Sequence, residues 1–197
     1  MSIFSMCSVS RPRTVCRCLL LCAIVSLCLL TGCASRPPVS TTNVLEAVCQ
    51  AAPGRPSGEI RWRAASQSDM NAVSDPSYLN DELLSALYGA DCLSWFEKRS
   101  LDNGSVSVPI VDEVAVYVST AKHPFEIAVF RCTDRTGTLS AAKQCRRRLN
   151  AIQQSWNGTD KEDYCRLGCV EIIDNYVILV VSDHPEPLLD AARRIIS

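Results

Sequence analysis

The thirteen residues from Cys18 to Leu30 carry no charge and only one hydroxyl, Ser26, and the only charges ahead of them are Arg11, Arg13 and Arg17. A cationic start followed by an apolar run of this length is the layout of a secretory signal peptide. Stretched to Ser35, the uncharged run has 18 residues, short of the roughly 20 that a membrane span needs. An uncleaved N-terminal anchor is the alternative. This feature constrains the fold more than any other, because a cleaved leader takes residues 1–32 out of the folding problem.

The leader ends in Leu30-Thr31-Gly32-Cys33. This resembles the bacterial lipobox, a leucine and two small residues before an obligatory cysteine. The residue types suit the chemistry. A thiol is nucleophilic enough to accept a diacylglyceryl group as a thioether, and small neighbours let the backbone enter a membrane-embedded peptidase. The resemblance implies cleavage between Gly32 and Cys33, with Cys33 as the lipid-modified (palmitate-bearing) residue. Acyl chains contribute about 0.8 kcal/mol per buried methylene, and two or more of them anchor stably. The expected location is the extracytoplasmic face of the cell membrane, with the membrane itself as one partner. Residues 33–42 read as a lipid-anchored tether. Behind Cys33 it runs Ala34-Ser35-Arg36-Pro37-Pro38-Val39-Ser40-Thr41-Thr42, polar and proline-bearing. At about 3.3 Å per extended residue these nine residues span roughly 30 Å.

Removing Arg11, Arg13 and Arg17 takes the net charge from −1 to −4. Neither value suggests a nucleic-acid partner, and no long like-charge block does. Six cysteines stand behind Cys33: Cys49, Cys92, Cys132, Cys145, Cys165 and Cys169. An exported domain with an even number invites disulfides. Five more (Cys7, Cys16, Cys18, Cys22 and Cys28) lie in the leader, where they build no lasting framework. The chain thus also uses cysteine as a small apolar residue, and both readings stay open. Cys165 and Cys169 lack a second matched pair for zinc. His123 and His184 each precede a proline and have no acidic or cysteine partner at ligand spacing. No metal or cofactor is expected.

Residues 43–197 form the expected domain. Asn43 and Glu46 resemble a capping box over a short helix. Ile60-Arg61-Trp62-Arg63 alternates as a short edge strand does. Asn80 caps a second helix, Leu79 and Leu84 staple it, and Gly89 ends it. Val114–Val118 and Phe125–Cys132 read as strands. Ala142, Cys145, Leu149, Ile152 and Trp156 make one apolar stripe of a third helix, with Lys143, Arg146 and Arg147 opposite and Arg148 flanking. Asn157-Gly158 stops it. Val170–Ile173 and Tyr176–Val181 flank Asp174-Asn175, a hairpin signal. A last helix starts at Pro185, with Asp183 as its cap. The expected fold is α+β, a four-stranded, largely antiparallel sheet with helices on one face. Its order is helix, helix, strand, strand, helix, strand, strand, helix. Val116, Ile127 and Val129 are expected in the sheet core beneath Leu149, Ile152 and Trp156.

Several phrases together resemble a known family. They are Leu87-Tyr88-Gly89, Val114-Ala115-Val116-Tyr117, Phe125-Glu126-Ile127-Ala128-Val129-Phe130, Gln153-Gln154 in the arginine-rich helix, and Tyr176 through Asp183. In that order they resemble the DUF4358 family, small lipoproteins found chiefly in clostridial Firmicutes. The resemblance implies a lipid anchor and an extracytoplasmic location, and carries no catalytic residues.

No catalytic motif is present. Asp112-Glu113 are strand neighbours, expected on opposite sides. Ser182-Asp183-His184 has triad residue types, but consecutive residues do not form a triad. Asn103-Gly104-Ser105 and Asn157-Gly158-Thr159 read as turns. The expectation is a non-enzymatic domain that binds an unidentified protein or ligand at the envelope. The alternative is an accessory or enzymatic role in envelope maintenance. The basic helix face is either solvated or meets anionic lipid or wall polymer.

Overall fold

A computed structural model describes residues 37–66, 75–97 and 108–197. Gly32, Cys33 and the Asn103-Gly104-Ser105 turn lie outside the described residues. Five strands rather than four make the sheet: β1 Gly58–Ala64, β2 Val111–Ser119, β3 Glu126–Cys132, β4 Cys169–Ile173 and β5 Tyr176–Val181. Their order is β1-β2-β3-β5-β4, and every neighbouring pair is antiparallel. The strand beyond the expected four is β1, whose alternating Ile60–Arg63 lies at an edge. Its outer side is partly covered, because Trp62 N–H donates to Ser77 O and Leu79 N–H to Trp62 O, both at 2.9 Å.

The helices are α1 Thr41–Gln50, α2 Asp81–Tyr88, α3 Arg135–Trp156, α4 Glu162–Arg166 and α5 Pro185–Ile196, with a 3₁₀ segment at Ala90–Phe96. They cover both faces of the sheet, not one. Val114, Val116, Ala128, Phe130, Val177 and Leu179 pack against α2, the 3₁₀ segment and α3. Ala115, Tyr117, Ile127, Val129, Ile178 and Val180 pack against α1 and α5. Ile127 and Val129 are therefore turned away from Leu149 and Ile152, and only Val116 of the expected trio shares their core. The reason is visible in β5, Tyr-Val-Ile-Leu-Val-Val, which is buried at all six positions. A strand with one wet face alternates apolar and polar residues, whereas a continuous apolar run needs cover on both sides.

Local signals explain most boundaries. Asn80 accepts from Leu83 N–H at 2.8 Å, Leu79 and Leu84 are fully buried, and Gly89 leaves α2 at φ 86°. The Asp174-Asn175 hairpin is present, with Asp174 at φ 52°. Two caps differ from expectation. α1 starts at Thr41, and Ser40, not Asn43, is its cap, accepting from Asn43 N–H at 3.2 Å. At α5, Asp183 makes no cap; His184 holds that position without a side-chain bond, and Ser182 Oγ accepts from His184 N–H at 3.2 Å.

Asp112 and Glu113 also depart from expectation. The register shifts from Val111↔Cys132 to Glu113↔Arg131, a bulge that sets two residues against one. Both carboxylates consequently reach Arg131, Asp112 Oδ2 at 2.5 Å and Glu113 Oε2 at 3.1 Å. Glu113 also accepts from Thr41 N–H at 3.1 Å. Arg131 and the Tyr176 hydroxyl both donate to Val39 O, at 3.2 and 2.5 Å. This cluster fixes where the chain enters the domain.

Candidate functional site

A cleft of about 530 Å³ is lined by residues 51–56, His123, Phe125, Tyr164, Ser182–His184, Pro187 and Leu188. It is assembled from the loop after α1, the loop before β3, α4, the residues just past β5 and the start of α5. Phe125 and Leu188 are buried and make an apolar floor. Phe125 stands edge-on to Tyr117, with ring centroids 5.5 Å apart.

The polar groups gather around both histidines of the chain. His123 meets Tyr164 edge to face at 4.7 Å. Its Nδ1 accepts from Phe125 N–H at 3.2 Å, so the neutral ring carries its proton on Nε2. Partial burial, with Lys161 nearby, lowers its pKa and favours that neutral form. Burial pushes the Tyr164 phenol up to about 12, opposed by a bond to Ser182 and reinforced by the Asp183 charge. Tyr164 is thus a neutral hydrogen-bonding group at physiological pH. The Ser182 hydroxyl donates to Asp183 Oδ1 at 3.3 Å. Its proton goes to a carboxylate and not to an imidazole.

Arg55 borders the cleft but is occupied. It donates to Cys49 O at 2.8 Å and lies 5.6 Å from the Tyr117 ring centroid. The start of α5 offers few donors, because Pro185 and Pro187 lack N–H groups. The arrangement therefore suits a ligand with an apolar body and hydrogen-bonding groups better than a multiply charged anion.

His123 also borders a smaller pocket of about 120 Å³ on the other side, with Glu126, Arg148 and Trp156. Glu126 is buried and takes Arg148 at 2.6–3.2 Å and the Tyr88 hydroxyl at 3.1 Å. Burial works against the Arg148 charge, but the bonds to Glu126 outweigh it and raise the Arg148 pKa. Arg148 is therefore not part of a solvated basic face.

All six cysteines behind Cys33 are free thiols. Burial raises every one of them, Cys49 and Cys92 to about 11 and Cys132 to about 12. Among the described residues no cluster of metal-ligating side chains occurs, and no helix is long and apolar enough to cross a membrane. No family model, curated protein or solved structure matches the chain.

Sequence reasoning singles out Ser182, Asp183, His184 and His123 without bringing them together. It misses Tyr164 altogether. The cleft joins five separate segments, and the only linear hint is that both histidines precede a proline at a strand end.

Proposed function

We propose that this chain is a lipid-anchored envelope protein, cleaved before Cys33 and acylated there, whose domain binds a ligand in the His123–Tyr164 cleft without transforming it. One observation carries the reading: the cleft lies at the far end of the sheet from the point of chain entry. Tyr176, at the start of β5, bonds to Val39, while Ser182, just past its end, lines the cleft. The strand that separates them spans about 20 Å. A domain held by its N-terminus thus presents the cleft away from its attachment. The DUF4358 resemblance and the lipobox support the same reading. Cys33→Ala should abolish incorporation of labelled palmitate and leave an unprocessed precursor. A photocrosslinking residue at Pro187 should give an adduct in cells that His123→Ala removes, while one at Arg194 should not. Normal labelling of the Cys33 variant refutes the anchor, and identical adducts from both crosslinker positions refute the cleft.

A further inference from the structure

Charge is strongly segregated in this domain. The 22-residue helix α3 carries Arg135, Lys143, Arg146, Arg147 and Arg148, and no Asp or Glu. Residues 33–197 have a net charge of −4, so the remainder carries −9. Arg148 is neutralised by Glu126. The other four have no carboxylate within 4.0 Å among the described residues; Arg61, Arg63, Arg131, Arg166 and Arg193 do, and the remaining unpaired cations, Arg55, Lys122 and Arg194, lie apart on other segments.

These four share one arc of the helix. At 100° per residue, Arg135, Leu139, Lys143, Arg146 and Arg147 fall within about a third of a turn, opposite the buried Ala141, Cys145, Leu149 and Ile152. Leu139, near the middle of the arc, is 56% exposed, the second most exposed large apolar residue described. Ile172, 39% exposed, lines the same shallow groove of about 320 Å³ as Leu139 and Arg135. The groove's carboxylates are Asp134, which caps α3 through Gly137 N–H at 2.6 Å, and Asp174 in the hairpin turn. The groove also lies at the chain-entry end: Arg135 follows Arg131 by four residues, and Asp174 is two residues before Tyr176, and both Arg131 and Tyr176 bond to Val39.

We infer that this face is a docking surface for an anionic phospholipid bilayer. The four cations meet lipid phosphates, and Leu139 and Ile172 enter the apolar boundary beside them. The net-negative remainder is repelled by such a surface, so the segregation also selects the orientation. The inference rests on the envelope reading above, but its test uses no lipid anchor, so the two fail separately. Both hydrophobic cores are built from residues 39–197, and the chain partitions into a compact unit from Pro38. Purified residues 38–197 therefore suffice.

Co-sedimentation would compare vesicles of phosphatidylcholine with vesicles containing phosphatidylglycerol as well. Each cation near an anionic surface strengthens binding about five-fold. Arg146→Ala/Arg147→Ala should weaken partitioning into the anionic vesicles about 25-fold. Raising salt to screen charges beyond a few ångströms should do likewise. Arg194→Ala, on α5, should change nothing. Leu139→Ser should weaken binding at low and high salt alike. The inference is overturned if anionic and neutral vesicles bind equally, if neither binds, or if the double variant binds like wild type. Binding to soluble poly(glycerol phosphate) but not to vesicles overturns the choice of occupant.

Discussion

Arg146, Arg147 and Arg148 are adjacent in sequence, yet the structure gives the third a different energetic role. Arg148→Ala removes the partner of Glu126, whose side chain is 8% exposed, and leaves that carboxylate facing the Tyr88 hydroxyl in an apolar surround. Breaking a buried ion pair by deleting one partner costs about 3–5 kcal/mol. The Arg148 side chain is 24% exposed, so water offsets part of the loss and the lower end, about 3 kcal/mol, is expected. With a urea slope of about 1.5 kcal/mol/M, the midpoint should fall by about 2 M. Arg147→Ala, which removes an exposed bond to Gln144, should stay within about 0.5 kcal/mol. A triple replacement, Tyr88→Phe/Glu126→Leu/Arg148→Met, removes every stranded polar group and should recover most of the loss. Urea unfolding of residues 38–197 followed by tryptophan fluorescence would read all three. If Arg148→Ala and Arg147→Ala unfold at the same urea concentration, the buried-pair argument is wrong.

Leu149→Ala and Ile127→Ala should each cost about 2–5 kcal/mol, and because they sit on opposite faces their effects should add within about 0.5 kcal/mol; strong coupling in a double-mutant cycle would contradict the two-core packing. The five buried thiols, Cys49, Cys92, Cys132, Cys145 and Cys165, should be protected from iodoacetamide at pH 8 until the protein unfolds. Their folded pKa values lie above the ordinary thiol value, so the stability they lend is complete below about pH 9 and declines as pH rises through about 11–12. Cys132→Ala should flatten that alkaline loss, and an unchanged profile would contradict it.

Elements with local chemistry are legible in the sequence. Asn80, Gly89 and Asp174-Asn175 act through bonds or dihedrals within a few residues, so their whole cause lies nearby in the chain. The face assignment is not, because it depends on what crosses the sheet from far away. Even so, the unbroken Tyr176–Val181 run carries the two-sided answer. Asp112 and Glu113 defeat a linear reading because alternation assumes a regular ladder, and a bulge breaks the alternation at one residue. Glu126 offers a signal of another kind, a lone carboxylate heading the apolar run Ile127–Phe130. Such a residue requires a buried partner, and Arg148, flanking its helix stripe, is that partner.

The Glu126 pair also bears on the cleft. Glu126 turns toward α3, while the adjoining Phe125 turns to the opposite face and floors the cleft. His123, two residues earlier, holds Phe125 N–H and borders the pockets on both sides. A short segment is thus fixed on one face by an ion pair and on the other by aromatic packing against Tyr117 and Tyr164. Side chains on rigid elements hold their positions better than those on free loops. The ionic network behind the sheet therefore helps keep the cleft wall in place. Arg131 has the corresponding role at the other end, where it fixes the entry of the chain. The two charge clusters stabilise opposite ends of one sheet, one beside Val39 and one beside the cleft.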